Sequence, residues 1–305
     1  MDGAIGSEIA RLGGAMDSAA WCGVANKTHP DVVRQVHEEY IRAGADVVTA
    51  NTFATNRHVL AGAGLADEAV MITARAVELA REAVNNVAPT RPIAVAGSMS
   101  NTVAWGPGTV SPDPRFFPTP EEEINNYREM AETLAVAGVD FILLEMMSDV
   151  EHASRAVAAA KETGLPVWIG ASCSLRTDGT VVGWAQHIEE PPERLVSGQA
   201  KPKTKPFVPL IEAMMAFEPQ VMGIMHSTVD TTSAGLKALF KQWDGPVMAY
   251  PESEPGHAVN PISFAASCRD WVERGVQIIG GCCGTTIEHI RAMVNELPDV
   301  IGIRR

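Results

Sequence analysis

The stretch PDVVRQVHEEYIRAGADVVTAN, residues 30–51, joins a helical pattern to a strand pattern across one glycine. Residues 30–43 repeat apolar side chains at helical spacing, and Pro30 suits the first position of a helix. Gly44 fits the left-handed conformation that often ends a helix, and ADVVTAN at 45–51 is a short apolar run rich in valine. A helix followed directly by a buried strand is half of a βαβ unit. The stretch therefore predicts an α/β fold with a parallel sheet.

The same alternation continues along the rest of the chain. A further helix is predicted over 120–137, because acidic side chains in its first turn complement the positive end of the helix dipole. Gly138 and Gly275 again stand between a helical pattern and a strand pattern. Strand-like apolar runs occur at 45–51, 92–98, 139–146, 166–172, 221–227, 246–251 and 276–281.

These seven strands are one short of a closed (β/α)₈ TIM barrel, which typically takes about 250 residues. The eighth strand would have to lie at the very start, before Asp2 and Gly3, so the first strand is predicted to be short or clipped. We expect a single barrel domain over residues 1–305. An open doubly wound sheet is the alternative, but no glycine-rich phosphate loop follows the first visible strand.

Composition argues against several classes of protein. The chain has 24 Lys and Arg against 37 Asp and Glu, and a formal net charge of -13 is the opposite of what nucleic-acid binding requires. No apolar run has the length of a membrane helix, and the N-terminus lacks a signal-peptide pattern. Five scattered cysteines are too few for a disulfide scaffold, so we expect reduced thiols or metal ligands in a cytoplasmic protein.

Polar and sulfur-containing side chains collect at the predicted strand ends, which form the active-site face of a barrel. GGCCG at 280–284 places Cys282 and Cys283 at one of these ends, and its glycines let the chain turn so that both sulfurs reach one point. Two cysteinates, a third protein ligand and an open position describe a catalytic zinc site. His226, at another strand end, is the best-placed third ligand, and Cys173 is the reserve. The alternative is that the cysteines are small buried hydrophobic residues.

Five segments, taken in order, resemble one known family over essentially the whole chain. They are DGAIGSE at 2–8, PDVVRQVHEEYIRAGADVVTANTF at 30–53, VAGS at 95–98, ILLEMMSDVEHA at 142–153 and GGCCGTT at 280–286. The family is that of the homocysteine S-methyltransferases, which includes the betaine–homocysteine methyltransferases. The resemblance implies a zinc (β/α)₈ barrel in which homocysteine binds the metal through sulfur and receives a methyl group from a small donor.

The resemblance also implies how the amino-acid end of the acceptor is held. Asp2 and Glu145 are implied to pair with its ammonium group, and Gly3 with nearby backbone N–H groups to receive its carboxylate. Asn51 and Ser98 lie at the ends of two neighbouring predicted strands. They complete the set of predicted substrate-binding residues.

This sequence departs from the family pattern at MGIMHST, where Met225 stands for the usual asparagine and His226 for a third cysteine. A zinc ion held by one histidine and two cysteinates is formally neutral rather than singly negative. A bound thiolate would then be held more tightly and be less electron-rich. In addition, Ala54 stands where the mammalian betaine enzymes have a tyrosine. We therefore predict a reactive sulfonium donor in preference to betaine, with a different thiol acceptor as the alternative.

Three aromatic residues are predicted to contribute to a cage for such a cationic donor. They are Trp21, Phe53 and Trp105. Because the chain shows no cobalamin- or folate-binding domain, the donor is expected to be a free small molecule or a methyl group on a separate protein.

The segment 173–218 is too long for an ordinary βα connection and contains a run rich in proline and lysine. It is predicted to be an insertion over the active face, and the sequence leaves open whether it is a lid or an arm of a homo-oligomer. Two other classes of function also remain open. One is a barrel lyase or aldolase with Glu145 or His226 as base, and the other is a non-catalytic thiol or zinc carrier.

Overall fold

The computed structural model describes residues 1–88, 90–106, 113–176, 178–183, 193–194, 200–201, 205–254 and 256–302. The strands, in chain order, are β1 (Val47–Ala50), β2 (Ala94–Ser100), β3 (Phe141–Met147), β4 (Val167–Ala171), β5 (Cys173–Leu175), β6 (Val181–Gly183), β7 (Glu193–Arg194), β8 (Ala200–Lys201), β9 (Lys205–Pro206), β10 (Val221–Met225), β11 (Val247–Tyr250) and β12 (Ile278–Ile279). The α-helices are α1 (Ile5–Arg11), α2 (Ala25–Thr28), α3 (Pro30–Ala43), α4 (Arg57–Gly62), α5 (Ala69–Val87), α6 (Pro120–Ala137), α7 (Val150–Glu162), α8 (Phe207–Met215), α9 (Val229–Leu239), α10 (Pro261–Glu273) and α11 (Ile287–Glu296).

Seven parallel strands form one curled sheet in the order β1, β2, β3, β4, β10, β11, β12. Each neighbouring pair is parallel, and the strands follow one another in chain order with helices between them. These are the seven strands that the sequence predicts, and the α/β barrel architecture is confirmed. The last strand is shorter than predicted, since only Ile278 and Ile279 pair as strand residues before the glycines begin.

The first two residues occupy the gap between β12 and β1. The amino group of Met1 donates to the carbonyl oxygen of Ile279 at 2.6 Å. The N–H of Asp2 donates to the carbonyl of Val47 at 3.0 Å, and the carbonyl of Asp2 accepts from the N–H of Gly281 at 3.0 Å. This short segment therefore bonds to both edges of the sheet, as expected for a short first strand.

Two helices begin and end where the sequence indicates. α3 starts at Pro30, and Gly44 after it has a φ of 109°. α6 starts at Pro120 behind a capping box in which Thr119 and Glu122 exchange hydrogen bonds, and Gly138 after it has a φ of 89°. Local signals set these boundaries because proline fixes φ at the start and glycine tolerates a left-handed φ at the end.

Alternate side chains of each strand pack on opposite faces of the sheet. Ile142 and Leu144 of β3 join the large core between sheet and helices, whereas Phe141 and Leu143 join a second core inside the barrel. Phe141 stacks there on Trp168 of β4, with ring centroids 4.0 Å apart. The inner core also holds side chains at the strand ends, so it forms the floor of the site described below.

Between β4 and α8 the chain forms short antiparallel pairings instead of an ordinary βα loop. β5, β6 and β9 make a three-stranded sheet, and β7 pairs with β8. Residues 184–192, 195–199 and 202–204 of the predicted insertion lie outside the described part of the chain. Among the residues that are described, no helix is long and apolar enough to cross a membrane.

Candidate functional site

The three predicted metal ligands come together at the ends of β10 and β12. The sulfur of Cys282 lies 3.7 Å from Nδ1 of His226 and 3.9 Å from the sulfur of Cys283. One ligand atom from each of the three residues lies within 4.8 Å of the other two. All three residues are partly buried and keep some exposure to solvent.

The backbone around the cysteine pair explains how two neighbouring thiols reach one point. Gly284 has a φ of 73°, and a Cβ at this position would lie 2.3 Å from the carbonyl oxygen of Ser253. The N–H and the hydroxyl of Thr285 both donate to the carbonyl of Cys282, at 3.1 and 2.7 Å. His226 has a φ of 43°, which is uncommon for a residue with a side chain. The strand end therefore turns as the glycines predict.

The separations within this group fit a tetrahedral metal ion. Bond lengths of about 2.3 Å to sulfur and about 2.0 Å to nitrogen separate two sulfurs by about 3.8 Å, and a sulfur from a nitrogen by about 3.5 Å. The observed separations of 3.9 and 3.7 Å are close to both values. The hydrogen bond from Cys282 lowers the pKa of Cys283 well below its usual range and raises the pKa of Cys282.

A second polar cluster lies inside the barrel at the end of β3. The side chain of Glu145 is buried, and the hydroxyl of Ser98 in β2 donates a short hydrogen bond to it. Burial raises the pKa of Glu145 to about 7, the bond from Ser98 opposes the rise, and the negative charges of Asp2 and Cys283 add to it. The pKa of Glu145 thus lies near neutral pH, and the charge of Cys283 contributes to this value.

Asp2 is buried and is held by β1. Its carboxylate accepts hydrogen bonds from the N–H and the hydroxyl of Thr49, at 2.6 and 2.9 Å. Burial raises the pKa of Asp2 to about 6, although both of these bonds oppose the rise. Gly3 follows in a tight space, where a Cβ would lie 2.8 Å from the hydroxyl of Tyr40. Glycine is therefore required here by close packing.

The three predicted cage residues form one aromatic group. The ring of Trp21 meets that of Phe53 edge-on at 6.0 Å and lies at an angle of 38° to that of Trp105, 6.3 Å away. Phe53 follows β1, and it packs against the same inner core as Cys282. The aromatic group and the metal ligands thus border a common interior.

Comparison with known proteins assigns the family. A model of the homocysteine S-methyltransferase family matches residues 1–297. The chain belongs to the homocysteine S-methyltransferase family. The curated betaine–homocysteine S-methyltransferase 1 of Danio rerio is 26% identical over an alignment of 305 positions, gaps included, that covers 93% of this chain and 69% of that protein. The predicted enzyme class, an S-methyltransferase, is confirmed.

Solved structures show the same fold. The metallated form of the homocysteine methyltransferase MmuM from Escherichia coli superposes with a TM-score of 0.73 at 20% identity, covering 97% of this chain and 95% of that one. The apo form of the same protein gives a TM-score of 0.67 at 19% identity, with 97% and 94% coverage. At these identities the likeness shows the barrel fold.

In this member of the homocysteine S-methyltransferase family, the sulfur of Met225 accepts hydrogen bonds that the sequence did not indicate. The Met225 sulfur accepts hydrogen bonds from the N–H of Met146 at 3.2 Å and from the hydroxyl of Ser172 at 3.3 Å. Met146 has a φ of 58° and directly follows Glu145. The thioether therefore joins the strand ends of β3, β4 and β10 beside the site.

The side chains of Asn51 and Cys173 form hydrogen bonds with other groups of the protein in this family member. The amide of Asn51 donates to the carbonyl of Cys22 and the side-chain oxygen of Asn26, and it accepts from the thiol of Cys22. Its role in substrate binding stays a prediction. Cys173 is buried with its sulfur 3.7 Å from the hydroxyl of Ser227, so the reserve ligand does not join the described group of metal ligands.

Two residues near the site received no role from the sequence. Oε2 of Glu252 lies 3.4 Å from Nδ1 of His226. The hydroxyl of Tyr250 is buried, and burial together with the charge of Glu145 raises its pKa well above the usual value. Tyr250 is the last residue of β11, and Glu252 lies two residues after it. A tyrosine at the end of an apolar strand and a glutamate just after that strand are the sequence signals that could have identified them.

Proposed function

We propose that this chain catalyses zinc-dependent transfer of a methyl group from a small sulfonium or quaternary ammonium donor to the thiol of homocysteine, or of a related compound. With homocysteine the product is methionine. The observation that carries the proposal is the convergence of His226, Cys282 and Cys283 at the strand ends of a family barrel, with the sulfur of Cys282 at near-tetrahedral separations from the other two ligand atoms. These three residues are proposed to hold the zinc ion and leave one position for the acceptor.

A free alkyl thiol has a pKa of about 8.5. Zinc would lower the pKa of the bound acceptor thiol, so that the thiol is ionised at neutral pH. The chain's own groups then orient the acceptor. Glu145 and Asp2 present buried carboxylates to its ammonium group, and Ser98 holds the Glu145 carboxylate in place. The N–H of Gly3 and neighbouring backbone N–H groups are proposed to receive the acceptor's carboxylate end. Methyl transfer is an in-line displacement, so alignment of donor and thiolate is the main task of the protein.

The donor is proposed to lie against Trp21, Phe53 and Trp105. A sulfonium or quaternary ammonium group is attracted to the faces of aromatic rings, and these three rings form one group beside the inner core. Residues 1–297, which match the family model, cover almost the whole barrel. We propose one domain over 1–305, with an insertion at 173–218.

The direct test combines metal analysis with product detection. Purified protein is expected to contain about one zinc per chain and to form methionine from homocysteine with S-methylmethionine, dimethylsulfoniopropionate or glycine betaine as donor. Cys268→Ala is a matched control, since Cys268 is buried in α10 away from the ligand group. A zinc-loaded protein that methylates neither homocysteine nor a related thiol with any of these donors would refute the proposal.

A further inference from the structure

The side chain of Tyr250 crosses the floor of the barrel and ends two strands away from its own. Tyr250 is the last residue of β11 and pairs with Met225 of β10, and both side chains belong to the inner core. A Cβ built on Gly170 of β4 would overlap the Tyr250 hydroxyl and lie 2.8 Å from Cγ of Met225. The hydroxyl therefore occupies the space that a side chain in place of Gly170 would fill.

This space adjoins the carboxylate of Glu145. Leu144 of β3 pairs with Ile169 of β4, and Glu145 and Gly170 are the next residues of these two strands. Neighbouring strands lie about 4.8 Å apart, so a group above Gly170 is within reach of Glu145. Burial raises the pKa of Glu145, and the hydroxyls of Ser98 and Tyr250 both oppose that rise. The Tyr250 hydroxyl is thus close enough to Glu145 to favour its ionised form.

The hydroxyl of Tyr250 nevertheless has no completed hydrogen bond. Its oxygen is buried and finds no partner of ordinary geometry within the described part of the chain. Leaving a buried hydroxyl unpaired costs stability, so such a group calls for an explanation. Glu145 accepts a short hydrogen bond from Ser98 on Oε2, and a carboxylate has lone pairs for further donors. One donor without a partner therefore lies beside an acceptor with unused capacity.

We infer that Tyr250 is a positioning residue, whose hydroxyl donates to the Glu145 carboxylate when the acceptor's ammonium group binds there. The inference rests on the proposed function, in which Glu145 receives that ammonium group. A neighbouring ammonium ion favours the ionised carboxylate, and hydrogen bonds to an ionised acceptor are shorter and stronger than those to a neutral one. Ser98 from β2 and Tyr250 from β11 then hold the carboxylate from two sides. Bonds of this kind often tighten only in the complex.

The test compares homocysteine with γ-mercaptobutyrate, the same thiol acid without its amino group, in the zinc-loaded protein. Tyr250→Phe removes only the hydroxyl oxygen and is expected to raise the Kd of homocysteine about tenfold, the effect of losing a hydrogen bond to a charged group. The Kd of γ-mercaptobutyrate should change by less than about twofold. In methyl transfer, the KM for homocysteine should rise and kcat should stay within about twofold, because binding is weakened equally in the ground and transition states.

Two further variants separate this role from general damage to the barrel. Tyr127→Phe is the matched control, because Tyr127 is also buried but its hydroxyl donates to Glu123 within α6, at 2.9 Å. It should leave both Kd values unchanged. Gly170→Ala keeps the tyrosine but fills the space of its hydroxyl, and it should weaken homocysteine binding more than γ-mercaptobutyrate binding. This variant also serves if Tyr250→Phe does not fold.

Three results would overturn the inference: an unchanged Kd of homocysteine in Tyr250→Phe, an equal rise for both thiols, or a fall in kcat without a rise in KM. If the unmodified protein binds γ-mercaptobutyrate as tightly as homocysteine, or binds neither, the inference fails together with the proposed role of Glu145. If the protein binds homocysteine but methylates no thiol, the proposed function fails and the Kd values still decide the inference. If methyl transfer proceeds and Tyr250→Phe matches the unmodified protein with both thiols, only the inference fails.

Discussion

The sulfur of Met225 accepts a hydrogen bond from the backbone N–H of Met146 at 3.2 Å. Met146 directly follows Glu145, and Met225 directly precedes His226. Both Met146 and His226 have positive φ angles, of 58° and 43°. One thioether thus connects the strand end that carries the buried carboxylate to the strand end that carries the proposed metal ligand.

Met225→Leu is expected to destabilise the fold by about 1–3 kcal/mol. Leucine nearly conserves the volume but offers no acceptor, so the N–H of Met146 and the hydroxyl of Ser172 each lose a hydrogen bond worth about 0.5–1.5 kcal/mol. Chemical denaturation measures the free energy of unfolding. Met99→Leu, at an equally buried position in β2, is the control, and an equal loss in both variants would show that the thioether contributes by shape alone.

Cys282→Ser and Cys283→Ser are each expected to reduce methyl transfer at least about 100-fold and to lower bound zinc, with the thermal midpoint shifted by only a few degrees. The reason is that the large core between the sheet and the helices contains none of the three ligands. Activity assays measure methyl transfer, metal analysis measures bound zinc, and thermal denaturation measures the midpoint. Global unfolding of either variant would make the metal site structural.

The KM for homocysteine is expected to fall as the pH rises through about 7, because Glu145 then ionises and pairs with the ammonium group. The hydrogen bond from Ser98 favours the ionised form. Ser98→Ala should therefore move this fall to higher pH and raise KM at pH 7 by about threefold, as follows when a hydrogen bond of about 1 kcal/mol no longer stabilises the carboxylate.

At higher pH the KM values of Ser98→Ala and the unmodified enzyme should converge. Ser100→Ala is the matched control, since Ser100 is buried in the same strand but donates to the carbonyl of Phe53. A KM ratio for Ser98→Ala that does not change with pH would show that Ser98 acts by shape and not through the ionisation of Glu145.

Sulfonium donors are expected to support faster transfer than glycine betaine. A thioether leaves more easily than a tertiary amine, and the thiolate at a centre with His226 in place of cysteine is a weaker nucleophile. His226→Cys should shift the balance towards betaine. Values of kcat/KM for each donor, under zinc-replete conditions, test both points. Equal or better use of betaine by the unmodified enzyme contradicts the first, and an unchanged donor ratio in the variant contradicts the second.

The free energy of unfolding should contain a contribution from His37 that depends on pH. Burial lowers the pKa of His37 to about 4, and neither ring nitrogen has a hydrogen-bond partner among the described residues. Below a pH of about 6.5 the unfolded chain binds a proton that the folded chain does not. Stability should therefore fall between about pH 6.5 and about pH 4, by up to about 3 kcal/mol.

His37→Leu should remove that contribution. The difference between the stability profiles of the two proteins is then expected to be flat above a pH of about 6.5 and to grow towards a pH of about 4. Parallel profiles across this range would show that His37 does not change its protonation on unfolding.

Much of the barrel could be predicted from local patterns. Proline at the start and a left-handed glycine at the end specify α3 and α6, and short apolar runs mark the seven parallel strands. The two-residue segment Met1–Asp2 has no pattern of its own, and its strand position depends on hydrogen bonds to both β12 and β1. The antiparallel strands β5 and β6 were also missed, because three-residue strands carry too little periodicity.

The sequence by itself determined the parallel α/β barrel, the family and the turn that aims Cys282 and Cys283 together, because helix ends, strand periodicity and glycine conformations are properties of neighbouring residues. Only the tertiary structure decided that Glu252 lies 3.4 Å from His226 and that Met225 bonds to Met146. These contacts join the ends of different strands. Their distances depend on how the sheet curls and closes, which no local pattern specifies.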